Sequence, residues 1–200
     1  MKNEAIIKSI QCLLSGYKEL QGKEGDNKKE MDSLRYLLNQ SIRQYDIPKE
    51  NYHISVGAKQ RWEELCSDNI ANYSYHKKVR CDKLQSAASY LFYKGSSKEG
   101  TECPLEPRES FTFRGMFHEE HIIPVSFILQ KLIEVSDVSE QTVKGILDGM
   151  HICVILKEED RKMNSKSGRT AGRTGSFTEN EKNVYNECGI TLLPYDQFPY

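Results

Sequence analysis

The fold is decided by the stretch HEEHIIP at positions 118–124, which is followed later in the chain by HICVILKEEDRKMN at positions 151–164. The first stretch places acidic residues and histidines beside a short apolar run that stops at Pro124, as at the end of a strand or hairpin arm. In the second, the apolar run 152–156 predicts a short strand and the polar run after it predicts a helix. That helix carries Asp160 and Asn164, which are one turn apart and face the same side. Together the stretches predict one imidazole and two or three oxygen ligands around one hard metal ion.

The bulk composition is that of an ordinary soluble globular chain. Its 200 residues are 28% charged and 38% hydrophobic, and the formal net charge is −1. This balance excludes a histone-like polybasic binder, so contacts with nucleic acid would come from local basic segments. No apolar run approaches the ~20 residues that span a bilayer, and the start MKNE lacks the apolar core of a signal peptide. We therefore expect a cytoplasmic protein without a membrane partner.

Zinc-binding patterns are not found in the sequence. The six cysteines include no Cys-x-x-Cys pair, so reduced thiols are expected rather than a structural zinc site. The zinc-protease pattern His-Glu-x-x-His would need a histidine at position 122, which is Ile122. The inverted pattern His-x-x-Glu-His would need one at position 117, which is Phe117. Because ligand geometry depends on helix register, both readings are excluded.

The chain divides into two regions of different character. Residues 1–107 are predicted to be mainly helical, with a role in specificity or in binding a partner or DNA. Residues 108–200 are predicted to form a small α+β catalytic module, in which Phe111, Phe113 and Phe117 belong to a strand or hairpin arm. Helices are predicted at 4–21, 29–45, 57–66, 81–93, 127–135 and 157–166, and a loop at 94–109.

The two stretches resemble the HNH, or His-metal-finger, family of nucleases. In that family a strand ends in Asp-His or His-His followed by an apolar pair and usually Pro, and a second strand leads into a helix with metal ligands. Here 120–124 is similar to the first part, 151–156 to the second strand, and Asp160 with Asn164 falls where the helix ligands belong. The resemblance covers about fifty of the 200 residues. It implies an α+β protein with a ββα-metal module after the helical region, and metal-dependent hydrolysis of phosphodiester bonds.

The resemblance also assigns roles to individual residues. Glu120, Asp160 and Asn164 would bind one Mg²⁺ or Mn²⁺ ion, His121 would be the general base, and His151 would complete the catalytic set. His151 stands where the family has an Asn that braces the loop, and Glu120 is one methylene longer than the usual Asp. These two departures favour an alternative from another class, a non-catalytic nucleic-acid-binding module with a degenerate site.

The chemistry of phosphodiester hydrolysis suits these residue types. A neutral imidazole accepts a proton from water, since its ordinary pKa is ~6.5, and a divalent ion holds charge on the leaving oxygen. Glu120 and His121 are adjacent, so an extended strand points them to opposite faces. One of them must therefore lie where the strand turns, which Pro124 favours. His118 is expected to face solvent, with a role as second base or ligand as the alternative.

Two basic segments are candidates for contact with substrate phosphates. One follows the predicted metal helix and the other precedes the predicted helix at 81–93, and flexible cations of this kind bind phosphates without reading sequence. We expect a restriction-type endonuclease acting on double-stranded DNA, with a toxin-like or RNA-directed nuclease as the alternative. The sequence leaves the oligomeric state open, with a homodimer as a candidate. The candidate nucleic-acid-binding residues are Lys166, Arg169, Arg173, Lys77, Lys78 and Arg80.

Overall fold

The structure is a computed structural model of the chain. It describes residues 2–23, 25, 27–67, 69–72, 78–80, 110–167 and 172–199.

The helices surround a small sheet, and the chain is a mixed α+β protein. A π-helical turn extends the last helix over Glu181–Tyr185. The α-helices within the described ranges are α1 (Lys2–Gln21), α2 (Lys28–Arg43), α3 (Val56–Leu65), α4 (Phe113–Met116), α5 (Val125–Glu134), α6 (Glu140–Asp148), α7 (Lys157–Ser167) and α8 (Phe177–Asn180).

The strands form a four-stranded sheet in the order β4-β5-β1-β6 and a two-stranded sheet of β2 with β3. In the larger sheet, β4 runs antiparallel to β5, β5 runs parallel to β1, and β1 runs antiparallel to β6. The strands are β1 (Tyr52–Ser55), β2 (Lys78–Arg80), β3 (Ser110–Thr112), β4 (Phe117–His121), β5 (Ile152–Leu156) and β6 (Leu192–Pro194).

The register of the larger sheet decides which side chains share a face. Cys153 pairs with Glu120 on one side and with His53 on the other, so these three side chains lie in one row on one face. His118 pairs with Ile155 and lies on the same face, because strand side chains alternate. We call this face, which α7 and α8 cover, the α7 face. His121 pairs with Ile152 and belongs to the opposite face.

Each face of the sheet is closed by its own apolar cluster. On the α7 face, Cys153 and Ile155 pack with Met163 of α7 and with Tyr185. On the opposite face, one cluster gathers α1, α2, α5 and α6, whose buried positions recur at helical spacing. A second cluster on that face gathers α3 and the segment before β4 around Trp62. The sheet is therefore buried on both sides, and polar groups on it are removed from solvent.

Most of the predicted elements are confirmed. Helices α1, α2, α3, α5 and α7 and strand β5 lie where the periodicity of the sequence placed them, with ends shifted by a few residues. The predicted helix at 81–93 and loop at 94–109, together with the boundary at 107, lie outside the described residues. The sequence analysis missed α6, α8, β1, β2 and β6.

The predicted strand arm over residues 111–117 is wrong in its middle part. Residues Phe113–Met116 form the helical turn α4 between β3 and β4. The physical reason is packing: Phe113 and Phe117 are four residues apart and both contact Trp62, with ring centroids 6.2 and 5.7 Å away. Residues four apart are separated by about 6 Å along the axis in a helical turn but by about 13 Å along a strand. Only the helical turn therefore lets the two rings meet, with their centroids 5.1 Å apart.

None of the helices within the described ranges combines the length and the apolar character needed to cross a bilayer.

Two neighbouring leucines of α2 provide a test of this packing. Leu38 is fully buried, whereas Leu37 is 47% exposed. We expect Leu38→Ala to lower the free energy of unfolding by about 2–5 kcal/mol, because it leaves a cavity in the core. Leu37→Ala in the same helix should change it by less than about 0.5 kcal/mol. Urea unfolding followed by circular dichroism measures both, and equal effects at the two positions would show that α2 packs through another face.

Candidate metal centre

Strand β4 and helix α7 bring three ligand-type side chains together on the α7 face. His118 and Glu120 are two residues apart in β4, so both side chains point to this face, and Asp160 comes from the first turns of α7. One ligand atom from each residue lies within 4.8 Å of the others. In the part of the chain that the structure describes, this is the one group of three such side chains close enough to hold a metal ion. We call it the metal cluster.

The buried state of the metal cluster leaves polar atoms without partners. The side chains of His118 and Glu120 are only 14% and 9% exposed, with Nε2 of His118 lying 3.3 Å from Oε2 of Glu120. That approach is within ion-pair distance. Oε2, like His118 Nδ1, is buried and has no hydrogen-bond partner among the described residues. Leaving such an atom unsatisfied costs about 1–3 kcal/mol. A cation bound among one imidazole and two carboxylates would satisfy Oε2, so these residues fit a divalent metal ion.

Asn164 adjoins the metal cluster through Asp160. Its side-chain Nδ2 donates a hydrogen bond of 3.0 Å to Oδ1 of Asp160, one helical turn earlier. The two oxygen-bearing side chains predicted on this helix therefore lie together beside β4. Of the predicted metal ligands, Glu120 and Asp160 are in the cluster, and Asn164 donates a hydrogen bond to Asp160.

Arg173 occupies the other side of Glu120. Its guanidinium forms an ion pair with Oε1 of Glu120, and both side chains are buried, with 4% and 9% exposed. The same NH1 group donates to the backbone oxygen of His121 at 3.2 Å. Burial alone would raise the pKa of Glu120, but His118 and the Arg173 guanidinium outweigh it and hold the pKa of this carboxyl below its usual range. Arg173 was predicted to be a phosphate contact on a flexible loop, and the structure places it inside the protein against a predicted metal ligand.

A buried asparagine fastens the Arg173 segment to the end of β4. Asn180 is fully buried, and its Nδ2 donates to the backbone oxygen of Ile122 at 2.9 Å and to that of Thr174 at 2.8 Å. Its Oδ1 accepts from the backbone N–H of Thr174 at 2.6 Å. The segment beside Arg173 is therefore bonded to the residue that follows β4, and both are held by one side chain.

No family model, no curated protein and no solved structure matched this chain. The functional assignment of the cluster therefore depends on its geometry and chemistry.

His121, the predicted general base, lies on the face opposite the metal cluster. It is the last residue of β4 and pairs with Ile152. Burial, and after it the positive charge of Arg43, lowers the pKa of His121 to about 4. The imidazole is therefore uncharged at neutral pH, which is the form that accepts a proton, but in this conformation it does not reach the cluster.

His151 pairs with a histidine that the sequence analysis left without a role. Nδ1 of His151 lies 3.0 Å from Nε2 of His53, so the two rings share one hydrogen bond. Both rings stack on Phe177, with centroids 4.4 and 4.6 Å from it. The backbone oxygen of His151 accepts from the N–H of Ile122 at 2.9 Å. His151 thus braces the residue after His121 through its backbone, while its side chain is held by His53 and Phe177.

The five remaining predicted nucleic-acid contacts have no described side chain. Lys166 lies in α7, and Lys78 and Arg80 lie in β2, where the structure describes the backbone. Lys77 and Arg169 lie outside the described residues. These five stay predictions.

The prediction that His118 faces solvent is wrong, because its side chain is only 14% exposed. The sequence carried a signal for its position that was not used. His118 and Glu120 are separated by one residue, and this spacing places two strand side chains on one face. The family resemblance directed the prediction to the adjacent residues Glu120 and His121, although a continuous strand points their side chains to opposite faces. His53 offered no such signal, because its partner lies 98 positions away in the chain.

The His53–His151 pair predicts a pH dependence of stability. Burial, and after it the proximity of His151, lowers the pKa of His53 to about 4, whereas an unfolded histidine titrates near 6.5. The unfolded state therefore binds more protons between these values, so stability is present above pH 6.5 and is lost as the pH falls through 4. Glutamine does not titrate in this range. We therefore expect the free energy of unfolding of His53→Gln to fall by up to about 3 kcal/mol less than that of wild type as the pH is lowered. Urea unfolding from pH 7.5 to 4 measures it, and parallel curves for both proteins would contradict the lowered pKa.

Proposed function

We propose that this protein is a metal-dependent phosphodiesterase that cleaves nucleic acid as an endonuclease. The observation that carries the proposal is the metal cluster of His118, Glu120 and Asp160 between the antiparallel pair β4–β5 and the helix α7. A strand pair followed directly by a helix, with ligands on the first strand and the helix, is the arrangement that the HNH resemblance implies. The choice of double-stranded DNA as substrate, and of a restriction-type role, comes from that resemblance alone.

The donor set favours a hard divalent ion. Glu120 and Asp160 would bind Mg²⁺ or Mn²⁺ through carboxylate oxygens, with His118 as the imidazole donor. When bound, such an ion polarises a phosphoryl oxygen and stabilises charge on the leaving oxygen. The protein supplies a buried, preorganised setting: Arg173 orients Glu120, and Asn164 orients Asp160.

Two imidazoles compete for the role of proton acceptor. With His118 among the ligands, the base is His121, which is uncharged at neutral pH and ends β4 next to the bend at 122–123. In that role its ring must turn toward the α7 face. With Glu120, Asp160 and Asn164 as the ligands, His118 is the base, because it already lies on the same face.

A non-catalytic nucleic-acid-binding module is the second candidate function. The observation that favours it is the ion pair of Arg173 with Glu120, in which a guanidinium already satisfies one oxygen of a metal ligand. Under this alternative the cluster is a structural remnant and the chain binds nucleic acid without cleaving it.

The first test is the metal requirement. We expect nicking of supercoiled plasmid in Mg²⁺ or Mn²⁺, none in EDTA, and a loss of at least about 10²-fold in Asp160→Asn. Glu158→Gln is the matched control, because it removes an exposed carboxylate from the same helix. Cleavage that persists in EDTA would rule out the metal mechanism, and DNA binding without cleavage in any metal would establish the non-catalytic alternative.

The second test separates the two histidines. If His121 is the base, His121→Ala should lower the cleavage rate by roughly 10²–10⁴-fold and leave Mn²⁺ affinity unchanged. His118→Ala should then weaken Mn²⁺ binding as well as cleavage. If His118 is the base, His118→Ala should lower the rate with Mn²⁺ affinity intact, and His121→Ala should remain active. Wild-type rates in both variants would eliminate an imidazole base.

A further inference from the structure

We propose that Arg173 is a built-in counter-ion of the metal centre, which makes binding of the divalent ion depend on an anionic phosphate ligand. The inference rests on the proposed function, because it takes the metal cluster to be an ion site. It adds positive cooperativity, in which the ion and the phosphodiester each strengthen the binding of the other.

The first support is the burial of the charges. The guanidinium of Arg173 and the carboxylate of Glu120 are in contact and almost fully enclosed, with 4% and 9% of their side chains exposed. Solvent and salt screen such charges weakly, so each one acts strongly on any ion that binds beside it. Oε1 of Glu120 faces Arg173, whereas Oε2 is buried, finds no hydrogen-bond partner in the part of the chain that the structure describes, and lies 3.3 Å from Nε2 of His118. The carboxylate therefore has one oxygen for the arginine and one for an ion.

The second support is that Arg173 is held in place. Its guanidinium also donates to the backbone oxygen of His121 and lies over the ring of Tyr185, 5.8 Å from the centroid. The next residue, Thr174, is bonded through its backbone to the fully buried Asn180, which also bonds Ile122. Moving the arginine out would break this set of contacts, so the positive charge remains when an ion arrives.

The balance of charge then explains the dependence on phosphate. Two carboxylates and one guanidinium give the site a formal charge of −1, with histidine counted as neutral. A divalent ion alone changes this to an excess of one positive charge in a buried site, which is unfavourable. A phosphodiester carries one negative charge and brings the assembled site to neutrality. By linkage, a phosphate that strengthens ion binding is itself bound more tightly in the presence of the ion by the same factor.

The experiment measures Mn²⁺ affinity by the loss of the free-ion electron paramagnetic resonance signal. Wild-type protein is titrated alone, with dimethyl phosphate (an anionic phosphodiester) and with trimethyl phosphate (its uncharged analogue). We expect dimethyl phosphate to tighten Mn²⁺ binding by about tenfold, within the usual range of coupling between two ligands. Trimethyl phosphate should have no effect, because it brings no charge.

Three variants identify the source of the coupling. Arg173→Gln should bind Mn²⁺ alone about tenfold more tightly than wild type, and dimethyl phosphate should then add less than about twofold. Arg173→Lys keeps the charge and should retain both the weak binding and most of the coupling. Arg61→Gln is the control, because it removes a surface arginine from α3 that pairs with Glu64; it should behave as wild type.

Each outcome gives a decision. Unchanged affinity and coupling in Arg173→Gln, with Mn²⁺ bound and lost in Asp160→Asn, would overturn this inference and leave the proposed function standing. No Mn²⁺ binding to wild type with or without dimethyl phosphate would overturn the metal centre and this inference together. If Arg173→Gln fails to fold without metal, recovery of its circular dichroism with Mn²⁺ supports the inference. If it does not recover, Arg173→Lys decides, and loss of coupling in that variant overturns the inference.

Discussion

The antiparallel register between β4 and β5 is the constraint on which the metal cluster depends. Because Glu120 pairs with Cys153 and His118 with Ile155, both ligand-type side chains face α7. A shift by one residue would turn them to the other face and bring His121 toward the helix instead. Buried apolar residues fix the register: Cys153 and Ile155 are fully enclosed on one face and Phe117 on the other. The apolar alternation of the strands thus decides where the polar chemistry lies.

The strength of the electrostatic interactions in the metal cluster depends on burial as much as on the identity of the residues. A carboxylate and a guanidinium in contact at the surface would be screened by water and worth little. Enclosed between β4, α7 and the segment that Asn180 fastens, the Arg173–Glu120 pair keeps its electrostatic strength and its geometry. The same enclosure leaves Oε2 of Glu120 without a hydrogen bond from any residue within the described ranges. A structure that buries an acceptor and leaves it unsatisfied holds a preference for a cation at that point.

The parts of the fold that depend on local pattern were predictable, and the parts that depend on distant partners were not. Strand β5 and helix α7 follow from an apolar run and a polar helical run, and Asp160 and Asn164 follow from their spacing of four. The position of His118 was predictable from the sequence, because residues two apart in a strand share a face and Glu120 follows it by two. The ion pair of Arg173 with Glu120 and the bond between His53 and His151 join residues 53 and 98 positions apart, and no local period reveals such contacts.

Strand β1 has a consequence for how the chain reaches this structure. It comes from residues 52–55, yet it lies in the sheet between β5 and β6, which begin about 100 and about 140 residues later in the chain. A topology with such distant pairings has a high contact order, and closing the intervening loop precedes the gain from pairing, which slows folding. Until β1 is in place, β5 has an unpaired edge along an apolar strand, the kind of surface that joins edges of other chains. The amino-terminal half thus covers this edge of the sheet, and a truncated chain that lacks it would present an aggregation-prone edge beside the metal cluster.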